Sequence, residues 1–147
     1  MAADSEKALP VGPLESLVGY HLRRASSAFL TDFMRAMEGT GMRQVLIGIL
    51  SIVAANPGIN QGNVGRLLGI KRANMVALIN ELLERGLIKR ANAKDDKRAF
   101  TLRLSEKGEA ALAESLVRIR AHEAHMLKEL NPDEQATLVV LLGRIQP

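Results

Sequence analysis

The 147-residue chain contains no cysteine and no tryptophan. Missing thiols exclude disulfides, zinc–thiolate and iron–sulfur sites, and any cysteine nucleophile or redox switch. Aromatic residues make up 3% of the chain, too few to bind RNA or single strands by stacking bases on exposed rings. Long hydrophobic runs are missing as well. Each apolar stretch is soon broken by Gly, Asn or a charge, far short of the roughly 18–20 residues that cross a bilayer. Residues 1–13 carry Asp4, Glu6 and Lys7 and lack the basic-then-apolar order of a secretory leader. Together these absences predict a soluble, cytoplasmic protein without membrane contact.

What is present is enough for one core. The chain is 47% hydrophobic with a mean hydropathy of +0.02, and its length supports one domain rather than two. The net charge of +4 is unevenly placed. Between Lys71 and Arg103 stand nine basic residues against four acids, a net of +5, so the other 114 residues sum to −1. A solvated face interleaves the two signs, whereas segregation points to a polyanionic partner. With so few aromatics, that partner reads as duplex DNA.

Hydrophobic spacing organises the chain. Residues 1–13, with Pro10, Gly12 and Pro13, read as a flexible arm, and residues 14–147 as a single domain. Steps of three and four from Leu14 to Ala36 predict a long amphipathic helix ending at Gly39-Thr40-Gly41, with His21 in its apolar stripe. An apolar helix from about Met42 to Ala55 stops at Asn56-Pro57-Gly58. Asn60 is placed to cap a short helix through Leu68, with Val64, Leu67 and Leu68 inward. After the turn at Gly69-Ile70, a helix from Lys71 to Arg85 repeats Met75, Leu78, Ile79, Leu82 and Leu83 and ends at Gly86. Two helices joined by so short a turn form a helix-turn-helix. The period then changes to two over Leu87–Ala91 and Ala99–Leu104, a β-hairpin with a charged tip. Ser105 opens a second long helix to about Glu129, and Asn131-Pro132-Asp133-Glu134 is a strong start for the last one. The fold class is therefore mainly α with a small β-hairpin wing.

Arg66-Leu67-Leu68-Gly69-Ile70-Lys71-Arg72, with Asn80-Glu81-Leu82-Leu83-Glu84-Arg85-Gly86-Leu87-Ile88, resembles the DNA-binding core of the MarR family of bacterial transcription regulators. The wing makes the resemblance specific: Asp96-x-Arg98-x-x-x-Leu102-x-Leu104-Ser105-x-x-Gly108 fits the family's D-x-R-x-x-x-L-x-L-[T/S]-x-x-G pattern at every defined position. It implies a winged helix-turn-helix over about 42–104, dimerisation helices over about 14–38 and 105–147, and a homodimer gripping a pseudo-palindromic double-stranded operator. It also implies control by a small, often aromatic or acidic effector. Without cysteine, the family's peroxide-sensing branch does not apply. The opening helix is similar to members governing hydroxycinnamate or other aromatic-acid catabolism, some of which answer to the acyl-CoA thioester. A repressor released by an aromatic carboxylate or acyl-CoA is the leading expectation; a constitutive, architectural DNA-binding dimer is the alternative.

Candidate residues follow. Arg72 and Asn74 stand in the first turn of the recognition helix, where Arg suits guanine and Asn suits adenine, with Met75 beside them on the DNA-facing side. Lys71, Lys89 and Lys97 are expected on phosphates. Arg98 at the wing tip suits the narrow minor groove, oriented by Asp96. In the family the effector cavity lies between the dimerisation helices and the winged module, so Arg24, with Arg23, is assigned to the anionic group, Tyr20 or His21 to its orientation, and Phe29 to the apolar part. An ordinary interface arginine is the plain alternative for Arg24. His122-Glu123-Ala124-His125 has its histidines three apart rather than four, which excludes a metalloprotease motif; a regulatory metal site with His21 is a minor alternative. No nucleophile–base constellation or phosphate loop stands out, so neither an enzyme nor a cofactor is expected.

Overall fold

The computed structural model describes residues 9–94 and 100–147. Most of the arm, and the wing tip with Asp96, Lys97 and Arg98, lie outside the described residues. Among the described residues, no helix is long and apolar enough to cross a membrane.

Leu14 does not open the first helix. Gly12–Ser16 is a 3-10 turn, Leu17 is extended, and α1 runs Val18–Ala36. The His21 Nε2 lies 2.8 Å from the Glu15 carbonyl oxygen, so this ring sits over the 3-10 turn and stays exposed, outside the apolar stripe. The second helix, α2, spans Gln44–Ala55. It starts after Met42 because that residue's N–H donates to Thr40 Oγ1 at 3.0 Å, a side-chain turn that competes with helix.

Strand β1 is Ile59–Asn60, and α3 is Gln61–Leu68, capped as expected by Asn60, whose side chain accepts from the Asn63 N–H at 2.8 Å. Gly69, at φ +66°, takes the left-handed conformation that turns the chain into α4, Arg72–Glu84. The wing strands β2, Ile88–Asn92, and β3, Phe100–Leu104, pair antiparallel with Ile88 opposite Leu104 and Asn92 opposite Phe100. β1 pairs with the other edge of β3, giving the order β1-β3-β2. Two residues leave no periodic signal, which is why the sequence predicts only a hairpin. α5 spans Glu106–Met126 and α6 Pro132–Gly143, the latter with the anticipated capping box between Asn131 and Glu134.

The core sits inside the winged module. Leu46, Ile49, Leu50, Val53, Val64, Met75, Ile79, Leu82 and Leu102 are each at most 1% exposed. Leu67, expected inward, is 65% exposed, because the short α3 turns only one narrow face to the core. The second half of the wing motif is structural. Leu102 fills the core; Ser105 Oγ donates to the Gly86 carbonyl and accepts from the Gly108 N–H; and Gly108 packs so tightly on the Leu87 carbonyl that no Cβ fits. By contrast α1 and α6 bury no residue fully. Val18, Met34, Val139, Val140 and Ile145 remain exposed on them and just beyond.

Candidate functional site

The helical period decides which face α4 shows. Met75, Ile79 and Leu82, at steps of four and three, point into the core, leaving Arg72, Ala73, Asn74, Val76, Ala77 and Asn80 exposed on the other side. Met75 therefore does not belong to the DNA-facing set. It is 1% exposed and packs against Gly65 of α3, where an added Cβ would meet its Cγ at 2.9 Å. Lys71, Arg72 and Asn74 are exposed together at the helix start, as expected, and none makes a side-chain hydrogen bond to another described residue.

Two tethers join the C-terminal end of α4 to the segment ahead of α2. Arg43, just ahead of α2, donates to both Glu81 carboxylate oxygens, at 2.9 and 2.7 Å, and Arg85 donates to the Gly41 carbonyl oxygen at 3.0 Å. The hydrogen bonds from Arg43 hold the Glu81 carboxyl below its ordinary value. Lys89 is exposed on β2 beside Arg90, whose guanidinium lies 4.8 Å from the Phe100 ring centre across the wing. Arg90 was not singled out in the sequence; an arginine and an aromatic on neighbouring strands of a basic hairpin are the signal.

A cavity of about 270 Å³ opens where α1, α2 and α5 meet. Ser26, Phe29, Leu30 and Phe33 line it from α1, Gln44 and Ile47 from α2, and Ile119, His122 and Glu123 from α5. His122 is buried, and its Nδ1 lies 2.7 Å from Asp32 Oδ2 on α1. The Phe29 and Phe33 rings stand edge-on to the imidazole, at 5.3 and 6.0 Å between centres. The His122 hydrogen bond holds the Asp32 carboxyl below its ordinary value, against the opposing effect of desolvation. An ionised carboxylate only accepts, so Nδ1 carries the proton. Neither Asp32 nor its pairing left any mark in the sequence, since the two residues lie ninety positions apart.

A more open groove of about 520 Å³ follows another flank of α1, lined by Arg24, Ser27, Ala28, Thr31, Asp32 and Arg35 with Met126 of α5. Arg24 donates to Tyr20 Oη at 3.0 Å. The five expected effector residues are thus divided. Phe29 lines the cavity; Arg24, with Tyr20 attached, faces the groove; His21 is turned to Glu15; and exposed Arg23 lines neither. The cause is the 100° step between successive helical residues, which spreads neighbours in sequence over different faces. The histidines are not gathered either. His21 lies eleven residues before Asp32, about 16 Å along the helix, and among the described residues no three His, Asp or Glu stand within reach of one metal ion.

Comparison with known proteins agrees with this architecture. The MarR family profile matches residues 45–99, from α2 to the wing. A protein of Thauera aromatica assigned to transcriptional regulation of the hcr operon is 31% identical over 135 residues, 91% of this chain and 81% of its own. The repressor CouR bound to a 23-mer DNA duplex superposes with a TM-score of 0.86 at 33% identity, over 92% of this chain and 96% of CouR. CouR bound to p-coumaroyl-CoA gives 0.78 over the same coverage. The regulator PcaV of Streptomyces coelicolor, with its natural ligand, gives 0.79 at 26% identity, over 92% of this chain and 96% of that one. Fold, wing motif and sequence relationship converge: this chain belongs to the MarR family of winged helix transcription regulators.

Proposed function

We propose that the chain is a dimeric repressor whose grip on a pseudo-palindromic operator is released by an aromatic carboxylate or its CoA thioester. The single domain of residues 14–147 pairs with a second copy through α1, α6 and the ends of α5, whose exposed apolar side chains one winged module leaves uncovered. The exposed start of α4 enters the major groove, with Arg72 and Asn74 at base edges and Lys71 and Lys89 on phosphates. Arg98, with Lys97 and oriented by Asp96, carries the wing to the minor groove.

The observation that carries the effector half of this reading is the cavity's place. Two of its walls, α1 and α5, belong to the scaffold that sets the two modules apart, and the third, α2, is the core helix of the module itself. A ligand that fills it acts on both. A coupling of roughly 1–3 kcal/mol alters operator affinity about 5 to 150-fold. An open cavity rather than packed side chains is what favours this over a constitutive architectural protein. The aromatic part belongs with Phe29, Phe33, Ile47 and Ile119. The anionic part is assigned to Arg24 and Arg35, which line the open groove on the other flank of α1, where a guanidinium offers a carboxylate or phosphate paired donors. That CouR is seen with both a DNA duplex and an acyl-CoA supports the same pairing of partners.

The test begins with duplexes selected by the purified protein and footprinted. Paired half-sites about 34–36 Å apart are expected; a single unpaired half-site overturns the docking. The complex is then titrated with hydroxycinnamates, benzoates and their CoA esters, using wild type and Arg24→Ala. Release by one of these anions, weakened in Arg24→Ala, is expected; if none dissociates the complex, the effector class is wrong while the DNA-binding assignment stands.

A further inference from the structure

The exposed face of α4 is polar toward its two ends and apolar between them. Arg72 and Asn74 stand at the start and Asn80 two turns on, while Ala73, Val76 and Ala77, all exposed, carry no hydrogen-bonding group in their side chains. Val76 is 45% exposed, whereas Met75, Ile79 and Leu82 hold the inward positions. Nothing within the helix favours valine there: a β-branched residue is a poorer helix former than alanine, and its methyl groups are left partly in water. Val76 follows Arg72 by four residues and precedes Asn80 by four, so the three side chains stand in line along one flank of the outward face, with the small Ala73 and Ala77 beside them on its crown.

That pattern answers to the chemistry of the major groove. Guanine, adenine and cytosine are distinguished there by donors and acceptors alone, whereas thymine adds a C5-methyl group. A polar edge pressed against Ala73, Val76 and Ala77 would lose water without gaining a partner; a methyl group gives up no hydrogen bond and gains from leaving water. The two alanines let the helix backbone lie close to the groove floor, which brings the short valine side chain within reach. We propose that Val76 is a specificity-determining residue of the recognition helix: with Ala73 and Ala77 it receives the C5-methyl of a thymine, one helical turn on from the base that Arg72 meets. The inference rests on α4 entering the major groove and adds to that reading a base selected without a hydrogen bond.

The experiment uses the full-length protein and a duplex obtained by selection and footprinting, in which each thymine in turn is replaced by deoxyuridine. That change removes the methyl group and keeps every donor and acceptor. At one thymine per half-site the wild type should bind the uracil duplex about three to five times more weakly, the effect of burying roughly one methyl group. Val76→Ala puts a stronger helix former at an exposed position and should fold as the wild type does; it should bind the thymine and uracil duplexes within about 1.5-fold of each other, as weakly as the wild type binds the uracil form. Cytosine and 5-methylcytosine placed at the same position separate the methyl group from the base: the wild type should prefer the methylated form, and equal binding of the two overturns the proposal. So does indifference to uracil throughout both half-sites, or a thymine preference that survives in Val76→Ala. Replacing the purines of the half-site by 7-deazapurines tests the docking on its own, since it removes only the N7 acceptors of the major groove. Sensitivity to 7-deazapurines without sensitivity to uracil leaves the docking standing and removes Val76 from the readout; indifference to both overturns the major-groove docking and this assignment with it.

Discussion

Met75 of α4 rests directly on Gly65 of α3: a Cβ at position 65 would stand 2.9 Å from Met75 Cγ and 3.1 Å from the Ile70 carbonyl oxygen. This contact sets the distance between the two helices of the helix-turn-helix. Gly65→Ala should overpack it at a cost of about 1–3 kcal/mol, offset by up to about 1 kcal/mol of helix propensity. Gly48→Ala on α2 is the control, since its Cβ would meet only the flexible end of Leu68 at 3.4 Å; it should be neutral or slightly stabilising. Urea unfolding of the two variants should separate them, and equal midpoints would show that the close approach does not matter.

Burial of Met75 separates shape from readout in the recognition helix. Met75→Leu, which roughly conserves volume, should cost less than about 1.5 kcal/mol of stability and leave base preference intact. Asn74→Ala or Arg72→Ala should each relax preference at one position per half-site by about 1–3 kcal/mol. Arg98→Ala should weaken binding across sequences. Competition against a panel of operator variants measures all four; a changed base preference in Met75→Leu would count against the inward orientation.

Acid should loosen two long-range ties at once. Glu81, bonded first by Arg43, and Asp32, bonded first by His122, both have carboxyl pKa values lowered by folding. Each such group binds its proton more weakly folded than unfolded, so its contribution is fully present above the ordinary carboxylate range and is lost as the pH falls through the depressed value. The melting temperature should therefore drop as the pH falls below 4.5, the ordinary value for Glu81, and Glu81→Gln should flatten that limb. A variant whose acid profile parallels the wild type would remove Glu81 from the account.

The exposed α6 face predicts an obligate assembly. Val139 is 71% and Val140 62% exposed, and the wild type should sediment as a dimer at micromolar concentration, with a melting temperature that rises with concentration. Val139→Glu should shift it toward monomer and lower the melting temperature. A wild type that sediments as a stable folded monomer would sink the proposed architecture.

The elements and their order were legible in the sequence because local physics sets them. Asn60, Ser105 and Asn131 cap the helices they precede, Gly69 and Gly86 take left-handed turns, and the shift from a period near 3.6 to one of two marks the wing. The wing motif carried the family because Ser105 and Gly108 answer to one fixed contact with the Gly86-Leu87 backbone. Periodicity placed Met75 inward, while its nearness to Arg72 and Asn74 had set it on the DNA side; packing against Gly65 decided between them. Tertiary structure alone decided the rest. β1 is too short to have a period, and His21 is drawn out of its stripe by a carbonyl on the preceding turn. The cavity, the division of Phe29 from Arg24, and the pairing of Asp32 with His122 arise where α1, α2 and α5 converge. Such pairs depend on distances between helices far apart in the chain, and no local propensity or spacing encodes them.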